Sequence, residues 1–254
     1  MIARPDVDRA LLAAGLLNLA ASVAVIAGLL IDDRQILGIN PWVKPWKFFV
    51  SVGIYLVTVA WMLPLAAMGR AARVVLRWTF IITMAGENVL ISLQAYRGTT
   101  SHFNETSAFD GAVFSAMGLL IMLNTVAAVA LLMYFFRAPA PMPRAVLAGI
   151  RLGLVLFLLA SGVGGMMVTN KAHAIGVPDG GPGLPIVNWS TDGGDFRIAH
   201  FIGLHALQGL PLLGWLFSRT SQDAGVAAVY VAAIVWAIVL ARLLSSALAG
   251  HPML

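Results

Sequence analysis

Seven runs of mostly apolar residues follow one another along the chain, at 10–31, 48–68, 78–96, 112–136, 145–168, 198–217 and 224–248. A helix needs roughly 20 apolar residues to cross a bilayer core. The runs are continuous rather than alternating, which predicts helices and not barrel strands. The expected fold is therefore all-α: a single integral membrane domain over residues 1–254, built from seven transmembrane helices. The segment 169–197 forms its one long loop, with turn chemistry through the PDGGPGLP stretch. Arg151, near the start of the fifth run, is expected to snorkel. Ser161, Gly162, Gly164 and Gly165 near its end predict close helix packing. The first run has no small-residue cleavage site after it and six runs follow, so it reads as a retained helix.

The short polar segments set an orientation. The N-terminal tail and the segments 69–77, 137–144 and 218–223 hold Arg4, Arg9, Arg70, Arg73, Arg77, Arg137, Arg144 and Arg219, eight basic residues in 32 positions. The opposite segments (32–47, 97–111 and 169–197) hold six in 60. The denser side is expected to be cytoplasmic, which places the N-terminus inside and the C-terminus outside. Helical spans suit a bacterial inner membrane.

Composition agrees with a lipid environment. Of 254 residues, 60% are hydrophobic and 11% charged, against about 25% charged in soluble domains. The net charge of +5 is explained by the loop arginines, so nucleic acid is not an expected partner. No cysteine is present, which excludes disulfides, thiolate metal sites and cysteine nucleophiles. P-loop, dinucleotide-binding, G-x-S-x-G and H-E-x-x-H signatures are also missing.

The chemistry-bearing residues gather at the outer end. Seven of the eleven acids and all five histidines fall there or nearby. The segment 188–208 carries Asp195, expected to cap the sixth span, then Arg197, His200, His205 and Gln208. His200 and His205 are five residues apart, about 140° around a helix, whereas His205 and Gln208 share a face. An ionisable group inside a span is by default a functional candidate; the competing reading is an interfacial His200 and a hydrogen-bonded packing His205. The segment 96–110 adds Arg97, Ser101, His102, Glu105 and Asp110, as ligands or general bases, or else as local turns and caps. In NPWVKPWKFF (40–49), Trp42 and Trp46 suit headgroup depth. Lys44 and Lys47 there could face lipid phosphate or an anionic substrate or cofactor. In the third span, Glu87, Asn88 and Gln94 form an intramembrane polar group, with Glu87 expected either to bond Asn18 or Asn124 or to relay protons. Arg242, in the outer half of the seventh span, is a further ionic partner for the outer site.

NPWVKPWKFF, RGTTSHFN and VPDGGPGLPIVNWSTDGGDFRIAHFIGLHALQ resemble a group of bacterial multi-span membrane proteins with no assigned activity. A weaker likeness is to seven-span zinc-dependent amide hydrolases of the alkaline ceramidase and adiponectin-receptor type. Those use a serine, an aspartate and three histidines, for which Ser101, Asp110, His102, His200 and His205 would be counterparts. That resemblance implies a metal-dependent enzyme acting on a lipid-like or amphiphilic substrate. His102, His200 and His205 would bind zinc (or copper or iron), and Glu105, Asp110 or Asp195 would serve as ligand or base. Two alternatives stand beside it. One is a redox protein holding haem b on His205, with Arg97, Arg197, Lys44 or Arg242 at the propionates. The other is a transporter or binding protein using Glu87 and the histidines as a path.

Overall fold

A computed structural model describes residues 7–137, 141–219 and 221–253; Arg4 of the N-terminal tail lies outside them. Seven long helices carry the chain: α1 (Arg9–Ile31), α2 (Val43–Met62), α3 (Arg70–Arg97), α4 (Ala108–Arg137), α5 (Arg144–Asn170), α6 (Phe196–Phe217) and α7 (Gln222–Leu248). Helix makes up 74% of the structure. Two short strands, β1 (Ala174–Ile175) and β2 (Gly194–Asp195), pair antiparallel within the long loop of this all-helical fold.

Every helix but α6 is long and apolar enough to cross a membrane, six among the described residues. The helix α6 has the length, but His200, His205 and Gln208 interrupt its apolar run. Exposed side chains such as Leu17 and Ile31 on α1, Val126 on α4, and Val231 and Ile234 on α7 are apolar. Large apolar faces of this kind suit a lipid solvent. The chain has the make-up of a helical multi-pass membrane protein.

Helix ends differ from the apolar runs for local reasons. α2 starts five residues early because Lys44, Pro45 and Trp46 are helical; a proline in the first turn needs no backbone donor there. It gives way at Pro64 to a 3-10 turn, Leu63–Leu65. α3 starts at Arg70, so Arg70, Arg73 and Arg77 lie on helix rather than in a loop. Alanine and arginine are good helix formers, and polarity alone does not end a helix.

The described chain falls into two compact units, with the boundary inside α4. The first comprises residues 7–64 and 68–127, the second 65–67 and 128–253. In the first unit α1 and α2 approach at Gly15 and Gly53, where a Cβ on either would sit 3.0 Å from the other's carbonyl oxygen. Asp8 caps α1 through the Leu11 amide and takes a forked pair of bonds from Arg77, at 2.7 to 2.9 Å.

In the second unit α5 and α6 meet through backbone. A Cβ on Gly149 would collide with the Leu210 carbonyl, one on Gly214 with the Ala145 carbonyl, and one on Gly203 would lie 2.5 Å from the Ala160 Cβ. Of the glycines expected to do this, Gly164 packs closely on the His200 ring of α6, at 3.1 Å from a Cβ built there, while Gly162 and Gly165 have nothing within 4 Å. Arg151 does more than snorkel. Its guanidinium donates to the Phe135 carbonyl at 2.8 and 3.1 Å, near the end of α4, and lies over Phe136.

Candidate functional site

The polar side chains of the first unit form a column along α3. At one level Asn124 of α4 accepts from Tyr55 of α2 (3.3 Å) and Thr83 of α3 (3.4 Å). One turn further, Glu87 is buried, and its Oε1 has no hydrogen-bond partner among the described residues. The Lys44 ammonium of α2 lies within its electrostatic reach. Asn18, considered as a partner for Glu87, instead accepts from Asn88 Nδ2 at 2.6 Å. Asn88 Oδ1 and Ser92 Oγ are buried without partners as well. Two turns beyond Glu87, Gln94 is fully buried; it donates to Asp110 Oδ1 (2.8 Å) and accepts from Arg97 (2.5 Å). From Thr83 to Gln94 the column covers about 16 Å of helix rise, half a bilayer core.

The column ends in a network that accounts for Asp110. Its Oδ1 takes Gln94 and Arg97, while its Oδ2 takes the Ser107 hydroxyl at 2.5 Å. Ser107 Oγ in return accepts the Asp110 amide at 3.1 Å, a side-chain cap at the start of α4. Arg97 also lies 4.5 Å from the Phe109 ring centroid. Asp110 thus joins the start of α4 to Gln94 and Arg97 of α3. In the same connection Ser101 is buried, with its Oγ 3.1 Å from His102 Nδ1. The His102 ring packs among Phe48, Phe103 and Phe114, at centroid distances of 6.0 to 6.2 Å. Asn104 is buried, bonding Thr99, Thr100 and Thr106, and Glu105 is exposed.

The outer segment of the second unit is also tied to itself. Asp195 caps α6 as expected, through the Arg197 amide at 2.9 Å. It further takes the Ser190 amide and the Arg197 guanidinium. Arg197 also donates to the Asn188 carbonyl at 2.5 Å. Asp179 accepts the His173 and Ala174 amides and lies 2.6 Å from His173 Nδ1. Burial alone would push the Asp179 carboxyl up, but His173 and the two amides outweigh it and hold it well below the usual range. At the end of α1, Arg34 beside Asp32 does the same to that carboxyl, aided by the Trp42 indole.

His200 donates through Nδ1 to the Ala160 carbonyl of α5 at 2.7 Å, the bond of a packing residue between two helices. His205 lies edge-on to Phe201 at 4.3 Å and bonds Gln208, the residue sharing its face. A cavity of 190 Å³ is lined by Arg242, His251, Asp195 and Ser246. Among the described residues no group of three His, Asp or Glu side chains is placed to hold a metal ion. The metal set His102, His200 and His205 expected from the sequence is not among such groups.

Sequence reasoning missed the Asp8–Arg77 pair. Its only signal was an acid just before an apolar run, the position of an N-cap. The chain matches no family model, no curated protein and no solved structure.

Proposed function

We propose that the chain spans a bacterial inner membrane seven times, α6 included, with its N-terminus inside, and that its first unit carries protons or a small polar solute along the α3 column. The 22 residues of α6 give about 33 Å of helix. The inside-positive rule gives the orientation.

The observation that carries the reading is the Glu87 oxygen, buried in mid-span without a hydrogen-bond donor among the described residues. An orphaned polar atom of this kind costs about 1–3 kcal/mol. A proton, a cation or a solute donor would complete it. Lys44 within reach, the orphaned Asn88 and Ser92 oxygens, and the Gln94 network give such a guest partners above and beside Glu87. Intramembrane carboxyls with this environment mark ion and substrate paths. The test is flux in liposomes holding an internal pH dye. Wild type should dissipate an imposed pH gradient faster than empty vesicles, and Glu87→Gln should lower that excess at least tenfold while inserting and purifying equally well. Equal flux in the two proteins would refute the reading.

A second reading rests on Ser101 and His102. A buried serine hydroxyl in hydrogen-bond reach of an imidazole is the nucleophile–base pair of acyl transfer, and the phenylalanines around His102 suit an amphiphilic ester or amide. A fluorophosphonate should label Ser101, and both Ser101→Ala and His102→Gln should abolish the labelling. Labelling that survives either change would end this reading.

A further inference from the structure

At the start of α1 and α3 the first unit has a cavity of 490 Å³ lined by Asp8, Arg9, Pro64, Arg73 and Arg77 with two small apolar neighbours. That volume lies within the roughly 300–1,000 Å³ typical of small-ligand sites. Among the described residues, three guanidinium groups face one carboxylate. Arg77 consumes that carboxylate by donating to both Asp8 oxygens, and the Leu11 amide donates a further bond to Oδ1. No ion pair is formed by Arg9 or Arg73 among the described residues. Arg73 Nε is buried from solvent and has no hydrogen-bond acceptor among the described residues. A buried donor on a charged group is the kind of atom that native structures rarely leave unsatisfied.

We infer that this cavity is a binding site for a phosphate group. The missing partner must be an anion, because the surplus charge is positive and the orphan is a donor. It must have several acceptor oxygens, because Arg73 and Arg9 offer planar forks of N–H groups that match phosphate in a two-pronged way. The floor formed by Pro64 is apolar, and the flanking helix faces are lipid-compatible. The phosphate is carried by the headgroup of an anionic lipid or by a soluble phosphate compound, and the shared chemistry is the phosphate itself. The inference is independent of the column around Glu87.

The test uses the full-length protein purified in detergent, at constant ionic strength, reading the thermal unfolding midpoint against added ligand. The ligands are short-chain phosphatidylglycerol, diacylglycerol of the same chain length, and inorganic phosphate. Phosphatidylglycerol is expected to raise the midpoint saturably and diacylglycerol to leave it unchanged. Arg73→Gln should raise the half-saturating concentration at least tenfold. Arg70→Gln, a charge removed from the same end of α3 but not from the cavity lining, should not. Inorganic phosphate acting as strongly as the lipid would assign the site to a soluble compound; the lipid acting alone would assign it to a headgroup. Arg9→Gln, a change at an exposed side chain, gives the same reading should Arg73→Gln fold poorly. The inference is overturned if no phosphate compound shifts the midpoint, if diacylglycerol shifts it equally, or if the cavity variants and Arg70→Gln respond alike.

Discussion

The two units solve the same problem, packing helices in a lipid solvent, with a different balance of means. Ten of the eleven buried polar or charged side chains among the described residues belong to the first unit; Asp195 alone belongs to the second. In the first unit, interior amides, hydroxyls and carboxyls link helices to each other: Asn18 to Asn88, Tyr55 and Thr83 to Asn124, Gln94 to Asp110, Asp8 to Arg77. In the second, Gly149, Gly203 and Gly214 let helix backbones touch, and the polar groups gather in the 173–197 loop. Lipid offers little apolar driving force between helices, so close packing and interhelical hydrogen bonds are the available means. Glycine packing is a static solution, since each contact is complete as it stands. Polar packing leaves atoms such as Glu87 Oε1 unsatisfied, and these are where a guest can bind. The difference teaches that the unit with the less complete interior is the better candidate for function.

The contrast can be broken most forcefully in the second unit. Gly149→Val places a branched side chain against the Leu210 carbonyl and the Pro211 backbone, neither of which can yield. Its overpacking should cost at least about 3 kcal/mol, read as loss of monodisperse protein or a fall in unfolding midpoint in detergent. A Gly149→Val protein of wild-type stability would show that α5 and α6 do not depend on backbone contact. In the first unit the strongest single link is Asp8. Asp8→Asn leaves the cap possible but strips Arg77 of its counter-charge, and should cost about 2–3 kcal/mol in a denaturant titration. A change below about 0.5 kcal/mol would mean the pair contributes no more than an exposed one.

A subtler contrast concerns acid. The Asp179 carboxyl is held below its unfolded value, so its contribution to loop order is present above the unfolded pKa of about 3.9 and is lost as pH falls toward the folded value. Corrected hydrogen-exchange protection at the His173 and Ala174 amides should therefore exceed that of Asp179→Asn at neutral pH. The excess should shrink below about pH 4. Protection that is the same in both proteins at neutral pH would remove Asp179 as the organiser of the loop. The smallest expected effect is at Gly162, which faces open space on the same helix as Gly149. Gly162→Ala should be neutral or stabilising by up to about 1 kcal/mol, and a clear loss of stability would restore it as a packing glycine.

Several features were legible from sequence because their cause is local. Long apolar runs announce helices, because backbone groups in lipid must bond within their own segment. Asp195 announces a cap because the orphan amides lie two residues away. His205 and Gln208 meet because three residues is nearly one helical turn. Helix ends were less legible, as Arg70, Arg73 and Arg77 show: the lipid boundary and the helix boundary are different physical limits. The candidate site was legible as a set of residues and not as an arrangement. Asp110 has the look of a free base until Gln94, Arg97 and Ser107 are found around it.

The sequence by itself determined that the chain is helical and apolar enough for a membrane, and which few residues have chemistry to offer there. Tertiary structure alone decided which of them are spent on packing. Gly149 and Gly162 are the same residue on the same helix, and only the presence of α6 beside one of them makes it a contact. Glu87 and Asp110 are both carboxylic acids, and only the neighbouring helices leave one with an unsatisfied oxygen and the other fully bonded. Periodicity fixes which residues share a face of a helix. What that face meets depends on side chains tens of residues away, and no local pattern encodes them.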